Sequence, residues 1–161
     1  MSAKGRPERE LPRSAKREGT PVSPERIADT IGTRLERIAA LRPEKIALVG
    51  GEKEVSFRAL DAAATAIARG IHSATQGRPG TVCLLFANKI PAIHAILGAS
   101  RSGRTYVPLD ASDPEDRLRF IAGDCEPAAL LTEASLLERA KALAPPGCAL
   151  IDIGRIEDAG G

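Results

Sequence analysis

Ser102-Gly103-Arg104-Thr105-Tyr106-Val107-Pro108-Leu109-Asp110-Ala111-Ser112-Asp113-Pro114-Glu115-Asp116-Arg117-Leu118 is the stretch whose punctuation lays out the chain. Gly103 is suited to the left-handed conformation that closes a helix. Arg104 to Val107 reads as a short strand, and Pro108 as a rigid bend after it. Asp113 is placed to accept an N-cap hydrogen bond, and Pro114 fits a first helical turn, where its missing N–H is not needed.

Outward from this stretch, strands and helices alternate. Upstream, Thr81-Val82-Cys83-Leu84-Leu85-Phe86-Ala87 is a continuous apolar run of the kind that forms a strand covered on both faces. Pro91 then starts a helix whose apolar positions are Ile93, Ile96, Leu97 and Ala99. Downstream, Leu118, Ile121 and Ala122 mark a helix and Ala128 to Leu131 a strand. Leu136, Leu137, Ala140 and Leu143 mark a further helix, and Ala149 to Ile153 a last strand. The alternation predicts an α/β fold with right-handed crossovers and a parallel sheet carrying helices on both faces.

The N-terminal part reads differently. Residues 1–23 combine charges with Pro7, Pro12, Pro21, Gly5 and Gly19, which predicts a disordered basic tail. Ser23-Pro24-Glu25 carries helix-start signals, and Ile27, Ile31, Leu35, Ile38 and Ala39 recur at helical spacing until Pro43. Ile46 to Val49 and Val55 to Phe57 flank Gly50-Gly51-Glu52-Lys53-Glu54, a short β-hairpin. From Phe57 the period becomes helical, with Leu60, Ala63, Ala64, Ile67, Ala68 and Ile71 on one side of a helix reaching about Ala74.

With 161 residues the chain suits one core plus a tail. Three Phe, one Tyr and no Trp make that core aliphatic. Six basic and three acidic side chains fall in residues 1–19, a local +3 within a net charge of +2, so the rest carries −1. The folded part therefore has no basic field for nucleic acid, and no aromatic residues in the tail offer stacking surfaces. No apolar run approaches membrane-spanning length, which with three scattered cysteines predicts a cytoplasmic chain of inert thiols at Cys83, Cys125 and Cys148.

Chemistry-bearing motifs are missing. Neither a Gly-x-Gly-x-x-Gly loop nor a Gly-x-x-x-x-Gly-Lys-Ser/Thr loop occurs, and Gly50-Gly51 and Gly77 to Gly80 read as turns. His72 and His94 lie on different helices without a carboxylate or Cys at metal-ligand spacing. Asp113, Glu115 and Asp116 crowd a helix start, where capping explains them. The residues thus nominate no catalytic, cofactor-binding or metal site.

Gly103 to Asp110, with Pro114 and Arg117-Leu118, resembles the second core motif of the acyl-adenylate-forming (AMP-binding) enzymes. It is nearest the form found in nonribosomal peptide synthetase adenylation domains. Val55-Ser56-Phe57-Arg58-Ala59-Leu60-Asp61 is similar to the first core motif, and the two stand in the right order and spacing. Lys is usual in the family where Arg101 stands, Ala where Thr105 stands, and a small-residue turn where Cys125-Glu126-Pro127 stands. The resemblance implies that residues 24–161 are the N-terminal portion of an AMP-dependent synthetase/ligase, truncated before the phosphate loop. In the intact family, ATP with magnesium activates a carboxylate, here an amino acid, as an acyl-adenylate that passes to a thiol of CoA or a carrier protein.

Both matched motifs are structural, so the resemblance implies that this chain alone binds no cofactor and is inactive. Arg139 and Lys141 fall near a CoA-phosphate contact of some relatives, against which stands a solvated helix face. The remainder of an adenylation domain, or a carrier protein, is the implied partner. The alternatives are a non-catalytic interaction module and one subunit of a split adenylation enzyme; a small free-standing nucleotide-binding protein is disfavoured by the missing glycine loop.

Overall fold

The computed structural model describes residues 30–158, the last two in backbone only. The predicted tail and the helix start at Ser23-Pro24-Glu25 lie outside the described residues. Helix α1 (Ile31–Leu41) is capped by Thr30, whose hydroxyl accepts from the Thr33 N–H at 3.2 Å. Strands β1 (Ile46–Gly50) and β2 (Lys53–Ser56) form the predicted antiparallel hairpin, tighter than expected. Gly50 and Lys53 pair directly, leaving a two-residue turn in which Gly51 takes φ +61°. Helix α2 (Phe57–Thr75) follows, with the Ser56 hydroxyl accepting from the Ala59 N–H at 3.2 Å.

Strand β3 (Val82–Phe86), helix α3 (Lys89–Arg101), strand β4 (Tyr106–Asp110), helix α4 (Glu115–Cys125) and strand β5 (Ala129–Thr132) continue the alternation. A 3-10 turn (Ala134–Leu136), helix α5 (Leu137–Leu143), strand β6 (Ala149–Asp152) and helix α6 (Ile153–Asp158) complete it. The four strands β4-β3-β5-β6, in that order, form one parallel sheet.

Alternation along the strands splits the core. Val82, Leu84, Ala129, Leu131 and Ile151 pack with Ile67 and Ile71 of α2 and Ala95 and Ala99 of α3. Cys83, Leu85, Leu109 and Leu130 pack with Leu118 of α4 and Ala140 and Leu143 of α5 on the opposite face. A third cluster, Leu35, Leu60 and Ala64, seats α1 and the hairpin against α2 and α3. Helices α2 and α3 approach closely at Gly98, where a Cβ would stand 2.4 Å from Ile67 Cγ2.

Several local expectations are corrected. The α1 stripe is Gly32, Leu35 and Ala39, while Ile31 and Ile38 are exposed, because the helix turns its glycine towards Arg101. Helix α3 begins at Lys89, not Pro91, and Pro91 occupies its first turn, where no donor is needed. The helix ends as predicted at Gly103 (φ +72°), with Gly103 N–H donating to Ser100 O and Arg104 N–H to Ala99 O.

Pro108 lies inside β4 rather than at a bend after it. Val82 N–H donates to Thr105 O, so Thr105, Val107 and Leu109 face β3 and Pro108 points its donorless nitrogen away from the ladder. The cap of α4 is Pro114, not Asp113. Asp110 instead accepts from the Ser112 N–H (2.8 Å) and hydroxyl (2.7 Å), contacts that hold its carboxyl below the ordinary range. The last strand stops at Asp152, and Ile153 is a buried core residue opening α6.

Candidate functional site at the carboxyl end of the sheet

The chain leaves β3 for β4 on one side and later returns to place β5 on the other, so the strand order reverses between β3 and β5. In open parallel sheets the crevice beyond such a reversal is where ligands bind. The residues brought there are Ala87 and Asn88 after β3 and Glu133 after β5.

Glu133 is 8% exposed and carries the geometry. Its Oε1 accepts from Ala87 N–H at 3.2 Å and from the Ser135 hydroxyl at 3.0 Å, and its Oε2 accepts from Asn88 Nδ2 at 2.8 Å. Burial pushes the carboxyl pKa up, but these hydrogen bonds, with one from the Asn88 N–H, outweigh burial and leave it below the ordinary value. Asn88 is the N-cap residue of α3 yet makes no side-chain cap bond. Glu133, forty-five positions further on, therefore supplies the negative charge at this helix start from another strand. Beneath it, the buried Thr132 hydroxyl donates to Leu85 O at 2.9 Å and ties the ends of β3 and β5 together.

Two cavities flank this clamp. One of about 710 Å³ lies between the hairpin turn, Gly50 to Lys53, and the start of α3, Ala87 to Pro91. A smaller one of about 200 Å³ lies between Glu133, Asp152 and Gly154 at the ends of β5 and β6. The hairpin leans on α3 at Gly50, where a Cβ would lie 2.8 Å from Ile90 Cδ1.

With its oxygens engaged by four donors, Glu133 is a fixed anchor for two strand ends, not a mobile acid or base. Among the described residues no group of three or more His, Cys, Asp or Glu is arranged to hold a metal ion. The donor set at this end of the sheet, a single carboxylate whose oxygens already accept from Ala87, Asn88 and Ser135, does not fit magnesium-ATP.

Residues weighed from the sequence fall elsewhere. His72 is exposed and His94 is buried in α3. Arg139 donates to Ala111 O and, at 2.8 Å, to Asp113 O, so it fastens the loop between β4 and α4. Lys141 pairs with Glu138 at 2.6 Å on an exposed helix face. The three cysteines, far apart in sequence, meet in one cluster. Cys83 is buried, and Cys125 and Cys148 pack partly buried against it. Burial, then the two neighbouring thiols, pushes Cys83 up to about 12, and burial lifts Cys148 to about 11.

Arg101 is the second polar centre that sequence reading missed. One Nη donates to Asp61 O at 3.1 Å and to the Thr65 hydroxyl; the other pairs with the Asp61 carboxylate at 2.5 Å and donates to Gly32 O at 3.3 Å. One guanidinium thus joins α1, α2 and α3, which a lysine cannot reproduce.

A parallel sheet with helices on both faces and a crevice at the strand reversal is a scaffold that many unrelated α/β proteins share, so the fold alone assigns no activity. The profile of the AMP-binding enzyme family matches residues 35–159, and the chain belongs to that family. A hybrid PKS-NRPS synthetase of Trichoderma harzianum is 34% identical over 80% of this chain and 3% of its own length. Indigoidine synthase of Dickeya dadantii is 31% identical over 76% of this chain and 8% of its own.

Among solved structures, the nonribosomal peptide synthetase FmoA3, bound to α-methyl-L-serine-AMP, superposes with a TM-score of 0.71 at 18% identity. It covers 78% of this chain and 14% of that one. The fatty acid AMP ligase of Legionella pneumophila superposes with a TM-score of 0.66 at 22% identity, covering 86% and 27%. The chain thus spans only a small part of the proteins it matches. The motif-based recognition, an N-terminal part of a nonribosomal-peptide-synthetase-type adenylation domain, agrees with these findings.

Proposed function

We propose that this chain is the N-terminal scaffold of an ATP-dependent ligase that activates a carboxylate, an amino acid by class, as an acyl-adenylate. The observation that carries the reading is the pair of motifs around Phe57 and Tyr106. They are present in family order and folded onto a parallel sheet of the family's kind. The relatives' names include a hybrid PKS-NRPS synthetase and an isonitrile lipopeptide synthase.

On this reading the residues present build and hold the sheet. Magnesium, ATP, the acyl pocket and the accepting thiol belong to parts of the enzyme outside residues 1–161. A carrier protein would be met by the completed enzyme. The 161-residue chain alone is expected to give no ATP–pyrophosphate exchange with any amino acid, and exchange above background would overturn the assignment of chemistry to other segments.

A second reading, one subunit of a split enzyme or an interaction module, is favoured by a specific observation. Ile31, Ile38, Leu41, Ile46 and Val49 are all exposed, on α1 and the neighbouring β1. Among the described residues no helix is long and apolar enough to cross a membrane.

A further inference from the structure

Cys83, Cys125 and Cys148 gather on the face of the sheet covered by α4 and α5, and the three are not equivalent. Cys83 is wholly buried in β3. Cys125, the last residue of α4, and Cys148, just before β6, are partly exposed.

The strand register decides which of them can be joined. Cys83 lies opposite Leu130 of β5, and Leu130 lies opposite Leu150 of β6. Cys148 is therefore two strands across and two residues back from Cys83, a Cα separation of about 12 Å from strand spacing and rise alone. A disulfide spans at most about 7 Å between Cα atoms, so this pair cannot close without moving the sheet. Helix α4 instead runs back over the sheet, from the carboxyl end of β4 to the start of β5, and its last turn brings the Cys125 thiol within hydrogen-bonding reach of the Cys83 thiol. The Cys148 thiol is turned to its own chain, donating to Ala149 O at 3.8 Å, with Arg78 nearby.

The two paired sulfurs also differ in access. An oxidant in solvent can reach Cys125 but not Cys83. Burial and the neighbouring thiols, which push Cys83 up to about 12, keep it protonated and idle until an electrophilic sulfur stands beside it. A thiolate of high pKa is then the stronger nucleophile. Glu126 follows Cys125 at φ +42°, so the Cys125 sulfur can advance by a shift of a helix end rather than of a packed strand.

We propose that Cys125 and Cys83 form a staple closed by hydroperoxides, in which Cys125 is the sensing thiol, Cys83 resolves it, and their disulfide pins the end of α4 to β3. In the first step the peroxide O–O bond breaks and Cys125 Sγ takes one oxygen as a sulfenic acid, oxidised by two electrons, while the other oxygen leaves as water. In the second, Cys83 Sγ attacks Cys125 Sγ; the S–S bond forms, the S–O bond breaks, and the hydroxyl leaves with the Cys83 proton as a second water. Closure ties off the segment from β3 through α3 and β4 to the end of α4, which restrains α4 from lifting off the sheet. None of this depends on the adenylation reading.

The test treats the intact 161-residue chain with hydrogen peroxide, denatures it without reductant, alkylates the free thiols and locates them by mass spectrometry. The untreated chain alkylates at all three cysteines and the treated chain at Cys148 only. Before alkylation the treated chain is lighter by about 2 Da, and its peptide map links Cys83 to Cys125. Dithiothreitol restores all three thiols. In the closed form, amide exchange in the last turn of α4 slows by about tenfold or more. Cys148→Ser closes like the unmutated chain, whereas Cys83→Ala stops at a Cys125 sulfenic acid that dimedone traps.

A Cys125–Cys148 link, a link between two chains, further oxidation of Cys125 with Cys83 still free, or three free thiols after treatment would each overturn the assignment. The first measurement is on the unmutated chain, so a Cys83→Ala variant that fails to fold does not blunt the test.

Discussion

Replacing Glu133 is the sharpest probe of how the carboxyl end of the sheet is held. Glu133→Ala strands four donors at once: Ala87 N–H, Asn88 N–H and Nδ2, and the Ser135 hydroxyl. A hydrogen bond to a charged group contributes about 1.5–3 kcal/mol, and a buried donor left unsatisfied costs about 1–3 kcal/mol. Ser135 and Asn88 regain part of this through water, so the sum is not additive and a loss of about 3 kcal/mol is expected. At roughly 2–4 °C per kcal/mol for a chain of this size, the melting temperature falls by about 6–12 °C. Glu133→Gln keeps one acceptor oxygen and should lose about half as much.

The pH dependence separates the charge from the shape. The folded carboxyl titrates below its unfolded value, so its stabilisation is fully present above the unfolded pKa and is lost as pH falls through the folded one. The stability gap between wild type and Glu133→Gln, measured by urea unfolding, should therefore be constant near neutrality and shrink in the acid range. A Glu133→Ala protein that melts within a degree or so of wild type would refute the clamp. So would a gap to Glu133→Gln that does not shrink on acidification.

Two further perturbations test the packing. Arg101→Lys keeps the charge but cannot hold Gly32, Asp61 and Thr65 together. It should lose about 1–2 kcal/mol in urea unfolding and release α1 first, visible as faster amide exchange there. Gly98→Ala gains about 1 kcal/mol of helix propensity but drives a methyl against Ile67, so a net loss of about 1–3 kcal/mol is expected. Gly123→Ala, on α4 with nothing near its Cβ, should instead stabilise by about 0.5–1 kcal/mol.

Much of the fold was legible because it rests on local causes. The apolar run at Val82 to Phe86, the helix end at Gly103 and the hairpin around Gly51 each follow from side chains within a few positions. Where the sequence reading slipped, a distant neighbour had intervened. Pro108 looks like a breaker until β4 is seen as an edge, where its missing donor costs no ladder bond. Glu126 takes φ +42° at the end of α4, in the place where a small residue is usual, so the turn is made without a glycine.

The candidate site was hardly legible at all. Glu133 follows Thr132 in an unremarkable Thr-Glu-Ala-Ser sequence, and its partners lie at Ala87 and Asn88. The available signal was topological: two strand ends that flank a reversal of strand order must face a common crevice.

By itself, then, the sequence determined the alternation of elements, the aliphatic two-faced core and membership of the AMP-binding family, since periodicity, turn chemistry and motif order are all properties of neighbours along the chain. Only the tertiary structure decided which polar groups meet: Glu133 with Asn88, Arg101 with Asp61 and Gly32, and the three cysteines in one cluster. It also decided that Pro108 falls on the outer line of β4, where its missing donor costs no bond to β3. Such pairings depend on strand order and on which way each pleat faces, and neither is written in the spacing of residues.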